Sequence, residues 1–272
     1  MKPQPCRLYI FTGKGGVGKT TLSKAFVRYL NEHDHEAVYL TFRGQSVGDN
    51  NPGNTEIDNR GIKEVSLDLE DCARGYIEKR LNSKLIAAWI VKTPFFRALI
   101  NMVPGFNYLI FLGKILEMGK ANPRLIVVLD APASGHALTM VESTTNFKQI
   151  FESGTIFEDA NKMLSLLNDP NYTKIHVVSL PSVMSWQEAM ELKTGLQART
   201  PVEVNITVNN SLYLVVAEQL DELPPALKEK ASNEKSLIEE NQKEMHCILP
   251  HSLSSDPSSI ELELVGSLIK LI

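Results

Sequence analysis

Two lysines, Lys14 and Lys19, share one glycine-rich run, Gly13-Lys14-Gly15-Gly16-Val17-Gly18-Lys19-Thr20. The run fits G-x-x-x-x-G-K-[ST] without a gap, between an apolar stretch and a helical one. Its glycines let backbone N–H groups turn inward around a β-phosphate, and the following helix adds its positive end. Lys19 is expected to reach the β- and γ-phosphates and the Thr20 hydroxyl to bind Mg²⁺, with Thr21 completing the phosphate-binding set. A plain glycine turn would need neither the lysine nor the threonine. One lysine suffices for a phosphate, so Lys14 needs its own account. It lies near the loop tip, where it can reach a nucleotide held by a facing subunit. A cation supplied in trans stabilises charge on a transferring phosphoryl group.

The partner carboxylate for Mg²⁺ is Asp130, which ends the apolar run Leu125 to Leu129, LIVVL. The loop after it, Pro132 to His136, is placed to sense a γ-phosphate, which makes Ser134 and Gly135 switch candidates. His136 is assigned a structural part in that switch, not catalysis.

Strands must hold these groups. Arg7–Thr12, Glu36–Phe42, Ile62–Leu67, Leu125–Leu129, Ile175–Leu180 and Val202–Val208 read as strands, with Cys247–Leu249 a weaker candidate. Helical patterns separate them, among them Lys19–Asn31, Trp186–Gln197 and Ile260–Leu271. Strands alternating with helices imply an α/β sheet with parallel crossovers. Residues 43–61, rich in Gly, Asn, Pro and Asp, read as loop. No repeat at a fixed period is visible.

Bulk properties set limits. The 272 residues are 43% hydrophobic, enough for a sizeable core. A net charge of −4 and a pI of about 5.9 argue against nucleic acid or an anionic membrane as the main partner. The N-terminal stretch shows no signal-peptide pattern. Cys6, Cys72 and Cys247 are scattered, as expected for reduced thiols in the cytoplasm, and no CxxC is present.

Two segments stand apart. Pro225–Met245 is highly charged and reads as a solvated helix. Leu85–Gly119 is unusually apolar, but Lys92, Arg97 and Lys114 interrupt it and Pro94 and Pro104-Gly105 break it, so it is not a membrane span. It reads as three short helices. They either pack on the main sheet or form a groove for an apolar client.

The motifs carry a resemblance. "KGGVGKTT" resembles the deviant phosphate loop of a group of ATPases in which the first lysine acts across a nucleotide-sandwiched dimer. "DAPASGH", Asp130–His136, is similar to the switch of the ArsA family, which joins the arsenical-pump ATPases to the ATPases that target tail-anchored proteins. "LDLEDCARGYIEKRL", "VPGFNYLIFLGKI", "SLPSVMSWQEAMEL", "ITVNN" and "ILPHSL" match further family segments, so the resemblance runs nearly end to end and is closest to short bacterial members. It implies a three-layer P-loop NTPase fold with a mainly parallel sheet of seven or eight strands. It also implies one ATPase domain over residues 1–272, with a helical subdomain inserted at about 68–121. ATP and Mg²⁺ are the implied cofactors. Asn209 would contact the adenine, Pro250 would lie near the base, and the protein would act as a homodimer or with a paralogue.

The match fails at the first switch. The family reads T-D-P-A-H-S-L-G-D where this chain has "TFRGQSVGD", Thr41–Asp49. Thr41, Ser46 and Asp49 fit, but Phe42 replaces the aspartate that handles the attacking water, and Phe can neither accept a proton nor orient water. Gln45 and Asp49 are the alternatives. Tyr108 also replaces a family glutamate. Two readings follow: an ATPase gating a partner, or a nucleotide-binding scaffold with little turnover. The family's metalloid site needs several cysteines, and only Cys72 lies near the helical segment.

Overall fold

The computed structural model describes residues 5–43, 54–58, 61–103, 105–150, 155–254 and 256–272; the side chains at 134, 144–150, 155–157, 257 and 258 are not described. The chain runs β1 (Leu8–Thr12), α1 (Lys19–Glu32), β2 (Ala37–Arg43), β3 (Asn54–Ile57), β4 (Lys63–Asp68), then four helices, α2 (Leu69–Leu81), α3 (Lys84–Val91), α4 (Pro94–Met102) and α5 (Phe106–Ala121). It continues β5 (Ile126–Asp130), α6 (Ser134–Ile150), α7 (Thr155–Leu167), β6 (Thr173–Ser179), α8 (Val183–Gln197), β7 (Val204–Ser211), α9 (Tyr213–Val216), α10 (Pro225–Asn241), β8 (Met245–Pro250) and α11 (Pro257–Val265).

The fold is α/β, with one eight-stranded sheet in the order β3-β4-β2-β5-β1-β6-β7-β8. Every neighbouring pair is parallel except β3 with β4, which is antiparallel. β1 lies between β5 and β6, so the loop after it opens where the strand order diverges, the usual ligand crevice of such sheets.

Both faces of the sheet are covered, which explains the continuous apolar runs. Along β1, Leu8 and Ile10 point into a core shared with α5 and α8, while Tyr9 and Phe11 point into one shared with α1 and α11. The C-terminal residues Leu264, Leu268 and Leu271 are buried in the second core.

Three expectations need correction. The stretch 43–61, expected to be loop throughout, contains β3, an exposed edge strand whose polar residues Asn54, Thr55 and Glu56 suit a sheet edge facing water. α10 is not solvated all round: Ala231, Glu234, Leu237 and Ile238 form a buried face, and the Glu234 carboxylate accepts hydrogen bonds from the Ser211 hydroxyl and the Tyr213 amide. The third helix of the apolar segment, α5, is not short, with sixteen residues.

That segment divides between core and surface. α5 buries Tyr108, Leu109, Phe111, Leu112 and Ile115 in the main core. α3 and α4 bury only Ala87, Val91, Phe96 and Ile100, and leave Leu85, Trp89, Phe95 and Met102 exposed. Among the described residues, no single helix is long and apolar enough to cross a membrane; α3 and α4 meet that test only as a pair bent by 61°.

His176 is fully buried in β6, stacked on Phe11 with ring centroids 5.2 Å apart and hydrogen-bonded to Thr207. Burial, with repulsion from His246 and Lys174, pulls its pKa down to about 3. The native imidazole therefore stays neutral where the unfolded one, with a pKa of about 6.5, takes a proton. Its contribution is present above that value and is lost as pH falls. From pH 7.5 to 5 we expect it to account for about 2 kcal/mol of lost stability. Urea unfolding of His176→Phe, which keeps the stacking, should show a correspondingly shallower acid slope.

Candidate functional site

The glycine loop is held by close backbone approach. Gly13 has φ of 140°, and a Cβ there would lie 2.3 Å from the Val178 carbonyl oxygen on β6. Gly18 has φ of 88°, and a Cβ there would lie 2.4 Å from Nδ2 of Asn209 on β7. Only glycine satisfies both the dihedral and the space. No side chain caps the start of α1, so its first N–H groups open on the loop. Such a terminus attracts phosphate. Among the described residues, nothing occupies the space where a Cβ of Gly15 or Gly16 would stand.

Lys19 curls over its own loop, its Nζ donating to the Lys14 carbonyl oxygen at 2.8 Å. Burial lowers its pKa, and Asp130 opposes that shift. Thr20 Oγ1 donates to Asp130 Oδ2 at 2.6 Å, and the Tyr39 hydroxyl donates to the same oxygen at 2.8 Å. Burial and Asp130 both raise the Tyr39 pKa, so it remains a donor. Tyr39 was not legible as a site residue. It faces Asp130 because residue 39 and residue 42 lie on opposite faces of β2. Thr20 and Asp130 supply hard oxygens of the kind that would hold Mg²⁺, which would neutralise charge on a bound nucleotide's phosphates.

Beside the loop lies a cavity of about 230 Å³. Gly16, Val17, Gly18 and Thr21 form one wall, and Asn209, Pro250 and His251 another. Leu180, Ile260 and Leu264 add apolar surface. Asn209 is fixed there, its Nδ2 donating to the Val17 carbonyl oxygen at 3.0 Å. The structure thus gathers loop, Asn209 and Pro250 around one space, although 192 residues separate Asn209 from Val17. Nothing in the spacing of the C-terminal helix marked Ile260 and Leu264 as walls.

Lys14 points away from its own loop. Its Nζ lies 2.6 Å from Glu188 Oε1 on α8, and both side chains are about half exposed. The other Glu188 oxygen is buried without a hydrogen-bond partner among the described residues. One turn earlier on the same helix Met184 is exposed, with Val183 beside it.

The first-switch candidates Gln45, Ser46 and Asp49 lie outside the described residues. Phe42 is described, and it faces the core. It is 7% exposed and stacks on Phe111 of α5, centroids 4.3 Å apart and rings within 10° of parallel. Tyr108 lies 6.1 Å away in the same cluster, and the His136 ring is 6.4 Å beyond Tyr108. The two departures from the family pattern, Phe42 and Tyr108, are therefore neighbours in space. Ser134 and Gly135 begin α6, with Gly135 exposed.

The cysteines do not converge. Cys72 is buried, and burial pushes its thiol up to about 12; Cys247 is pushed up to about 11 by the same cause.

The family model of anion-transporting ATPases matches residues 6–155. An arsenical pump-driving ATPase of Acidiphilium multivorum is 25% identical over 275 residues, covering 93% of this chain and 42% of its own length. One from Escherichia coli is 26% identical over 281 residues, with the same coverage of 93% and 42%. ATPase BagA of Mycobacterium tuberculosis is 23% identical over 224 residues, 76% of this chain and 65% of its own. The chain thus spans less than half the length of the two arsenical pump relatives.

Gly18→Ala tests the loop geometry. The Cβ would meet the Asn209 amide and force a left-handed backbone on alanine, at about 1–3 kcal/mol. We expect ATP affinity, measured with a fluorescent analogue, to fall at least about tenfold, with circular dichroism unchanged.

Proposed function

The chain belongs to the anion-transporting ATPase family, and on that premise we propose that it binds Mg·ATP, hydrolyses it, and works as a nucleotide-gated dimer. The observation that carries this is the convergence of Lys19, Thr20 and Asp130 at the crevice between β1 and β5, beside the cavity of Asn209 and Pro250. In this reading Lys19 leaves the Lys14 carbonyl for the β- and γ-phosphates, and Thr20 and Asp130 hold Mg²⁺. Asn209 and Pro250 flank the base.

Lys14 acts in trans. Its contact with Glu188 holds it off its own phosphates, and exposed Val183 and Met184 offer apolar surface beside it for a facing subunit. Gln45, Ser46, Asp49, Ser134 and Gly135 form the switches. The exposed apolar side of α3 and α4 is where nucleotide would gate a client or partner. No arsenical cargo is proposed, because a single buried, raised thiol near the helices does not make a metalloid site.

A second reading, a nucleotide-binding scaffold with little turnover, is favoured by Phe42. Its ring is locked against Phe111, so nothing at that position handles water. Restoring aspartate there is a poor test. It would bury a carboxylate and remove a stacked aromatic whose truncation alone costs about 3–5 kcal/mol.

Steady-state hydrolysis and equilibrium ATP binding separate the two readings. Lys19→Ala should abolish both. Lys14→Ala should keep binding but lower kcat by at least about 10³-fold, as loss of a trans cation does. Glu188→Gln, which releases Lys14, should raise turnover. Tight binding with no turnover in the wild type would establish the scaffold. Turnover unaffected by Lys14→Ala would remove the trans role.

A further inference from the structure

We propose that the helical layer binds a single-chain amphiphile with an anionic head, its tail seated among α2, α3, α4, α5 and α7. A cavity of about 230 Å³ lies there, walled almost wholly by apolar side chains, including Ile77, Ile90, Phe96, Leu109, Ile110 and Met163. It is larger than the ~150 Å³ apolar cavity that stays dry and accepts benzene. It is too small for a helical client, whose cylinder alone is about 10 Å across. A flexible hydrocarbon chain fits it.

The cavity has a polar exit. A second space of about 270 Å³ adjoins it, sharing Tyr76, Gly113, Asp159 and Met163. Four cations line this space, Lys79, Arg80, Lys120 and Lys162, against two carboxylates, Glu117 and Asp159. The carboxylates are already engaged. Glu117 pairs with Lys79 at 2.5 Å and Lys114 at 3.2 Å. Asp159 pairs with Arg80 and accepts from the Tyr76 hydroxyl at 3.0 Å. That leaves Lys120, with no ion pair among the described residues, and Lys162, only 4.0 Å from Asp159 and more than half exposed. These two ammonium groups are placed to take an anionic head while the tail enters past Gly113.

Gly113 sits at the junction of the two spaces, inside α5. Glycine is a weaker helix former there than alanine. A Cβ at that position would lie 2.8 Å from the Met163 methyl, so any larger side chain would narrow the passage.

The test is calorimetric titration of the full chain with decanoate, decyl phosphate and decyltrimethylammonium, each below its micelle-forming concentration. Both anions should bind one to one, and the cation at least about tenfold more weakly. The stronger of decanoate and decyl phosphate identifies a carboxylate or a phosphate head. Lys120→Glu with Lys162→Glu should weaken both anions at least about tenfold. Gly113→Leu should abolish binding with its thermal melting retained. In the wild type, decanoate should slow hydrogen exchange in α4 and α5, a readout that does not depend on any variant folding. Equal affinity for the cation, anion binding indifferent to the lysine changes, binding intact in folded Gly113→Leu, or exchange unmoved by decanoate would each overturn the proposal.

Discussion

The arrangement depends on how closely the glycine loop passes the ends of β6 and β7. At Gly13 and Gly18 the backbone leaves no room for a Cβ, because Val178 and the Asn209 amide occupy that space. This contact fixes the loop, which joins β1 to α1, against the ends of β6 and β7. It also sets the start of α1 and places Thr20 against Asp130 on the neighbouring β5. Everything else at the site takes position from that approach. Asn209 serves twice, as a brace for the Val17 carbonyl and as a wall of the adjoining cavity.

The second constraint is side-chain parity along β2. Tyr39 and Phe42, three residues apart, face opposite sides of the sheet. Tyr39 meets the carboxylate of Asp130, while Phe42 joins the core under the helical layer. There it completes an aromatic cluster with Phe111 and Tyr108 that extends toward His136. Aromatic pairs of this kind contribute about 0.5–1.5 kcal/mol beyond area burial. Where the family pattern has acidic groups on both sides, this chain has a packed apolar joint. It links the end of β2, α5 and the start of α6, which ties that strand to the helical layer.

The helical layer itself has two characters. α5 belongs to the core of the sheet, whereas α3 and α4 present bulky side chains to solvent. Caps explain why they break where they do: Ser83 and Thr93 each accept from a backbone amide at the start of their helix, and Pro94 fits a first turn that needs no N–H donor. The apolar residues that remain exposed are therefore not a failure of local folding.

The sequence by itself determined the loop, its lysine and threonine, the strand-ending Asp130 and the α/β class, because each is written in spacings of a few residues that backbone geometry reads directly; the family came from the resemblance of whole segments along the chain. It also showed that Phe42 and Tyr108 depart from the pattern. That they touch, that Lys14 meets Glu188 across 174 positions, and that α10 hides one face were decided only by tertiary structure. The edge strand β3 was illegible for a related reason: a short polar strand exists through its partner β4, not through its own apolar pattern. Contacts between distant residues depend on strand order, register and which face each side chain takes, and those are properties of the packed sheet that no local spacing carries.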